Sequence, residues 1–192
     1  METTRKSSLF FFSLLTSIVW TVVLAGLLSW NIATELQQTL DQATHQTRTF
    51  FKEFLLARFW NSLHGGVYVP VTKETQPNPY LDEKSRDVVT TEGLRLTKIN
   101  PAYMTRQIAA IAARRGEFRF HITALQLINP ENKPDSWETE ALQQFGTGKK
   151  EFYEMFEGEE GIKEFRYMGA IVYEESCLPC HSEYGAAEGG VG

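Results

Sequence analysis

The chemistry of this chain is concentrated in the stretch SCLPCH. Cys177 and Cys180 are its only two cysteines, and His181 follows at once. C-x-x-C-H is the attachment signature of a c-type haem. Two thiols add across the two vinyl groups of the macrocycle, a two-residue gap lets both reach, and the adjacent imidazole serves as proximal ligand to the iron. Three other chemistries use the same residues. A Cys177–Cys180 disulfide forms in an oxidising compartment. A thioredoxin-like redox pair normally opens a helix in a βαβ setting, whereas this pair follows a predicted strand into a glycine-rich tail. Zinc needs two further ligands, and there is no second cysteine pair. The histidine at the right offset favours haem c, with Cys177 and Cys180 as thioether donors and His181 as the iron ligand.

The opposite axial position has three candidates. Met104 opens the helical run NPAYMTRQI, and a methionine sulfur is a known axial donor. His64 ends a long helical run beside Gly65-Gly66, where the backbone can fold tightly around a ligand. His121 shares a predicted strand face with Arg119 and could instead meet a haem propionate. Each also has a plain structural reading, as core methionine, helix-end cap and hydrogen-bonded strand residue, and water or an empty position would serve the iron too. His45 lies in a polar stretch and reads as solvated. Arg106, Arg114, Arg115 and Arg119 are propionate partners by charge, although a solvated face accounts for most such cations. Asp135 and Glu138 read as a helix cap rather than an acid–base pair, and no Ser/His/Asp arrangement stands out. An enzyme is not expected.

The elements that must position these residues begin with an apolar span. From Leu9 to Trp30, 22 residues carry no charge. A helix of that length crosses roughly 30 Å, the thickness of a bilayer core. The apolar region of a cleaved signal peptide is usually shorter, about 7–15 residues. Arg5 and Lys6 precede the span, and no cation follows until Arg48. The positive-inside rule then places Met1 in the cytoplasm and everything after Asn31 outside it. About 160 residues remain, enough for one core. Net charge is −5, and without a basic stripe nucleic acid is not an expected partner.

Residues from Asn31 to about Leu63 read as helix. Leu36, Leu40, Ala43, Thr47, Phe50 and Phe54 form a short heptad-like seam, either packed on the chain's own domain or paired in a parallel homodimer. Gly65-Gly66 stops that helix, GVYVPV is a short strand, and TKETQPNPYLDEKSRD is a loop. Asn100-Pro101 starts a helix that runs to about Arg115 and stops at Gly116, with Met104, Ile108, Ile111 and Ala112 as its buried stripe. Phe118 to Ile128 reads as a strand, with Phe118, Phe120, Ile122 and Ala124 on one face. Asp135 and Glu138 form a capping box for the helix in SWETEALQQF. KEFYEMFEG and IKEFRYMGAIVYE are two more strands, separated by Gly158 and Gly161, the second running directly into the cysteines. The pattern predicts an α+β fold with an antiparallel sheet.

The runs FWNSLHGGVYVPVTKETQPNPYL, LTKINPAYMTRQI, HITALQLINPENKPDSWETEAL and RYMGAIVYEESCLPCH together resemble the Tll-like family of extracytoplasmic c-haem domains. The resemblance covers roughly Asn31 to the C-terminus. It implies a PAS-like α+β domain, of the kind that stands at the N-terminus of membrane-bound bacterial histidine kinases and chemoreceptors, with attachment through Cys177, Cys180 and His181. Such domains continue into a Gly-rich turn, a final strand, a second membrane helix and a signalling module. This sequence ends in GAAEGGVG, so the final strand and the downstream signalling module are expected to be missing, in a fragment or in a domain that acts alone.

The expected organisation is a cytoplasmic N-terminus (1–8), a transmembrane helix (9–30), a membrane-proximal helix (31–64) and a C-terminally truncated PAS-like c-haem domain (65–192). The expected function is a haem c sensor in the bacterial inner membrane, its main domain periplasmic, responding to redox state or a diatomic gas. The alternative is a monohaem electron carrier, whose output is an electron rather than a conformation.

Overall fold

The computed structural model describes residues 2–116, 118–157 and 163–191. The chain divides into two compact units, Met1–Gln46 and Thr47–Gly192. One helix, α1 (Glu2–Leu63), fills the first unit and ends in the second.

Within the first unit α1 is long and apolar enough to cross a membrane. Its side chains from Leu9 to Trp30 are exposed, with Leu9 at 64% and Trp30 at 76%. Three hydroxyls in this stretch bond back to the helix's own carbonyls. Thr16 Oγ1 donates to the Phe12 carbonyl at 2.7 Å, Ser17 Oγ to Ser13 at 2.9 Å and Thr21 Oγ1 to Ser17 at 2.8 Å. Such back-bonding is how polar side chains are tolerated where lipid offers no partner.

The second unit is α+β. Gly65 and Gly66, both at positive φ (67° and 95°), end α1, and their amides bond back to the Ser62 and Asn61 carbonyls at 2.9 Å. A Cβ on Gly66 would sit 2.9 Å from Lys98 Cγ, so the turn needs glycine on both counts. Strands β1 (Val67–Pro70), β2 (Asp87–Val89) and β3 (Arg95–Ile99) form an antiparallel sheet in the order β1-β3-β2, with Val67 opposite Ile99 and Asp87 opposite Thr97. The sequence reading did not identify β2 and β3. The predicted loop between β1 and β2 is folded onto its neighbours. Lys98 pairs with Glu83 at 2.6 Å, Tyr68 donates to the Ser85 carbonyl, and Asn78 and Leu81 are buried.

Helix α2 (Pro101–Arg115) has the expected ends. Asn100 Oδ1 accepts from the Tyr103 amide at 2.9 Å, Pro101 takes the first helical position, and Gly116 closes in the left-handed region. Its buried face differs from the expected stripe. Thr105 and Ala112 are the buried residues, while Ile108 and Ile111 are 36% and 48% exposed. Arg58 donates to Thr105 Oγ1 at 2.6 Å and to the Pro101 carbonyl at 3.0 Å, which turns that face inward.

Residues 118–128 are not a strand. Among the described residues no strand pairs with them to complete a hydrogen-bond ladder, and side chains anchor them instead. Phe118 and Phe120 meet Phe50 of α1 edge-on at centroid separations of 5.0 and 6.1 Å, and Phe120 meets Phe54 at 5.2 Å. The last two positions of the predicted seam are thus engaged within the chain. Thr123, which alternation would set opposite the face of Phe118, Phe120, Ile122 and Ala124, is buried and donates to the Asn132 carbonyl at 2.7 Å.

Helix α3 (Ser136–Gly146) begins with the expected capping box of Asp135 and Glu138. Its Ala141, Leu142 and Phe145 form the core, packed by Phe152, Met168, Ala170 and Val191. Strands β4 (Glu151–Glu157) and β5 (Lys163–Gly169) make a second antiparallel sheet, with Glu151 opposite Gly169. Gly158 and Gly161, expected to separate them, lie outside the described residues. Arg48 of α1 grips β4 through both oxygens of Glu151, at 2.6 and 2.8 Å, and Tyr167 donates to the same carboxylate at 3.0 Å. β5 stops at Gly169 and does not run into the cysteines, because its partner β4 begins at Glu151, opposite that glycine; the Phe51 ring of α1 lies against it. Beyond it, Val172 makes an isolated antiparallel bridge with Val191, so the glycine-rich tail folds back beside the segment that leads to the motif.

Candidate haem-binding site

Glu174 ends the extended stretch. A 3-10 turn (Glu175–Cys177) then passes into the short helix α4 (Leu178–His181). Cys177 caps α4 and Cys180 lies three residues on, so the two sulfurs share one helical face. Both are free thiols, Cys177 half-buried and Cys180 exposed. His181 is half-buried, with its ring 5.2 Å from the ring of Tyr173. Two unpaired thiols one helical turn apart beside an imidazole are the donor set that haem c attachment requires, so the residues fit that group. Among the described residues no three His, Cys, Asp or Glu side chains are grouped to hold a bare metal ion.

The motif does not stand alone. Ser62 on the last turn of α1 donates to Ser176 Oγ at 2.8 Å, tying the helix end to the residue before Cys177. Arg58, one turn earlier, is half-buried with neutral acceptors on α2. Burial pulls its guanidinium below its ordinary pKa, and the charge is felt at Cys177 and His181. Burial, reinforced by Arg58, lowers the His181 pKa and so favours the neutral imidazole, the form that can donate a lone pair. The Cys180 thiol is pushed up by desolvation and by the Glu83 carboxylate, against Lys98, so it stays protonated. Desolvation also raises the Tyr173 hydroxyl.

The distal candidates have distinct surroundings. Met104 Sδ accepts from Asn61 Nδ2 at 3.8 Å, and Asn61 lies on the same α1 turn as Arg58 and Ser62. Met104 is thus tied to the α1 turn that also carries Arg58 and Ser62, in line with the exposed Ile108 and Ile111 on α2. His64 is exposed, stacked 4.5 Å from Trp60, with Nδ1 2.8 Å from the Trp60 carbonyl. A carbonyl only accepts, so Nδ1 carries the proton and Nε2 keeps its lone pair. His121 Nδ1 lies 3.5 Å from Glu138 Oε1 of α3. His45 is exposed on α1.

Of the candidate propionate partners, Arg106 is already occupied. It donates to Asn78 Oδ1 at 2.6 Å and lies over the rings of Tyr80 and Tyr103. Arg114 and Arg115 are exposed on the last turn of α2, and Arg119 is exposed beyond it. The sequence reading missed Arg58, Asn61, Glu83 and Lys98. A signal for the first two existed: Phe50, Phe54, Arg58 and Asn61 are spaced by four, four and three, so a cation and an amide continue an apolar helix face.

No curated protein and no solved structure matches the chain. A family model described as Tll0287-like matches residues 33–190, which include the whole C-x-x-C-H motif, the end of α1 and the Met104 turn of α2. The chain therefore belongs to the Tll0287-like family.

Proposed function

We propose that the chain is a membrane-anchored, extracytoplasmic haem c sensor domain of PAS-like architecture, responding to redox state or a diatomic gas. The observation that carries this reading is the pair of free thiols on one face of a helical turn with a half-buried imidazole next to them. Cys177 and Cys180 hold the haem through thioethers, His181 is the proximal ligand, and Met104 is the distal ligand, with His64 and His121 as alternates. When bound, the haem supplies a redox-active iron that can take a diatomic ligand.

The surrounding residues shape that chemistry. Cys180 is kept as a thiol, the form that contributes a proton when it adds across a vinyl group. Arg58 holds a positive charge near the proximal side and so favours the reduced state of any metal there. The Ser62–Ser176 bond and the Arg58 contacts join the end of α1 to both the motif and α2. A change in distal ligation at Met104 would therefore reach α1, and α1 is the helix that carries the membrane-spanning segment. Arg5 and Lys6 ahead of that segment favour an N-terminus inside and a periplasmic second unit in the bacterial inner membrane.

The exposure of Cys180 favours a second reading, a monohaem electron carrier, since electron exchange needs a cofactor edge at the surface. Protein matured in cells competent for cytochrome c assembly decides between them. A pyridine haemochrome and the mass of the 177–181 peptide report attachment, and an unmodified peptide ends both readings. With haem attached, the reduced spectrum with and without carbon monoxide separates a sensor with a displaceable sixth ligand from a carrier that binds no gas.

A further inference from the structure

Asn61 is the most enclosed polar side chain near the motif, at 0% exposure. Its Nδ2 donates to the Ile99 carbonyl at 3.1 Å and to Met104 Sδ at 3.8 Å. The Ile99 carbonyl can only accept, so the amide nitrogen belongs on that side and the amide cannot be flipped. Oδ1 is left buried with no hydrogen-bond donor among the described residues. A wholly buried acceptor without a donor is costly, and a fold retains one where something outside the chain supplies the partner. Both ends of the contact are fixed. Asn61 stands on the last full turn of α1, and Met104 stands on the first turn of α2, held by the Asn100 cap.

We propose that Asn61 is a positioning residue of the distal side: its Nδ2 orients the Met104 sulfur toward the haem, while its Oδ1 accepts from a bound water molecule whether or not the sulfur is in place. This rests on the haem reading above. A thioether sulfur has two lone pairs. One is engaged by Asn61 and the other is available for ligation. Because the amide is pinned by Ile99, it cannot follow the sulfur, so the bond is lost when the sulfur moves away. Asn61 therefore biases the equilibrium between a closed and an open sixth position, and gas affinity scales with the open fraction.

The test uses the full chain with haem attached, as wild type, Met104→Leu, Asn61→Leu and the double variant. Met104→Leu is expected to abolish the sulfur-to-iron charge-transfer band of the oxidised protein and to raise the carbon monoxide affinity of the reduced protein. Asn61→Leu is expected to weaken that band and raise the affinity about five- to tenfold, the scale of one lost hydrogen bond. In the Met104→Leu background, Asn61→Leu should add nothing, because its effect runs through the sulfur. Asn61→Ser, smaller and polar, replaces the leucine variant if that protein does not accumulate, and is read in the same way. Haem present with Met104→Leu unchanged overturns the proposal and leaves the haem reading standing. Equal effects of Asn61 substitution in both backgrounds also overturn it, since Asn61 would then act independently of the sulfur. A wild-type protein that takes no haem overturns both together.

Discussion

Gly169 is where β5 touches α1, and its replacement by alanine gives a quantitative test of the second unit. An ideal Cβ at this position would lie 2.5 Å from Phe51 Cζ and 2.8 Å from Cδ1. Carbon atoms in contact prefer about 3.5–4.0 Å, so the ring must retreat by roughly 1 Å. Overpacking of this kind costs about 1–3 kcal/mol. Phe51 is half-buried and can yield in part, although Tyr167 flanks it at 6.0 Å, so the middle of that range applies. Gly169 has no positive φ, so alanine recovers roughly 0.5 kcal/mol by restricting the unfolded chain. The net expectation is a loss of about 1.5 kcal/mol, or a fall in Tm of about 5 °C for a unit of this size. Urea unfolding of the full chain in detergent, followed by fluorescence, reads it. The buried Trp137, stacked 5.2 Å from Phe152, is the reporter of the core. Phe51→Leu alone should cost roughly 1 kcal/mol in lost contact. Combined with Gly169→Ala it should cost less than the sum, because the smaller side chain clears the new methyl. Strict additivity, or a Gly169→Ala protein as stable as wild type, would refute the claim that helix and strand meet at this glycine.

Three further outcomes follow from the same structure. Burial and the bond to Glu151 raise the Tyr167 hydroxyl from 10.0 to about 12. The folded state therefore holds this proton longer than the unfolded chain, and the associated stability is present below pH 10 and lost between pH 10 and about 12; denaturation at stepped pH should show that loss in wild type and not in Tyr167→Phe. On the acid side, Arg48 and then Tyr167 hold the Glu151 carboxyl below the usual carboxylate range. That contribution is present above the ordinary glutamate pKa of about 4.3 and disappears as pH falls through the lower folded value, so Glu151→Gln should flatten the acid limb of the same titration. Asn100→Ala removes the cap of α2 and should cost about 1 kcal/mol in denaturant unfolding; because Met104 lies on that first turn, the variant should also bind carbon monoxide more tightly when haem is attached.

What the sequence revealed was mostly local. Asn100-Pro101, Gly116 and the Asp135–Glu138 box are chemical punctuation that acts within a few residues, and each is found in place. The Cys177, Cys180 and His181 group was likewise read from spacing along the chain, and the structure sets Cys177 as the cap of the short helix that holds Cys180 and His181. The failures depend on partners distant in sequence. Phe118 to Ile128 has the alternation of a strand, but alternation records only two chemically different faces. Here the apolar face meets α1, and among the described residues no neighbouring strand completes a ladder. The β2–β3 hairpin was readable, since Gly93 sits between two β-rich runs and takes φ 84°, with its amide on the Thr90 carbonyl at 2.9 Å. The α2 stripe was misassigned because Arg58, some 40 residues earlier in the chain, decides which face of α2 turns inward.

The face of α1 running from Phe50 to Asn61 shows why packing and site cannot be separated in this fold. Phe50 and Phe54 hold residues 118 and 120, Arg58 reaches Thr105 and the neighbourhood of the motif, and Asn61 reaches Ile99 and Met104. Helical geometry places these residues on one line, so the rotation of α1 that best packs the aromatics is also the rotation that sets the cation and the amide. A ligand change that moved Met104 relative to Asn61 would strain the same helix that the aromatic cluster and the Arg48–Glu151 pair hold in register. Those anchors leave α1 little freedom to roll within the second unit. The Ser62–Ser176 bond lies at the end of that lever. It is exposed, which makes it one of the weaker ties in the group, and it is the contact between helix and motif that a small displacement would break first.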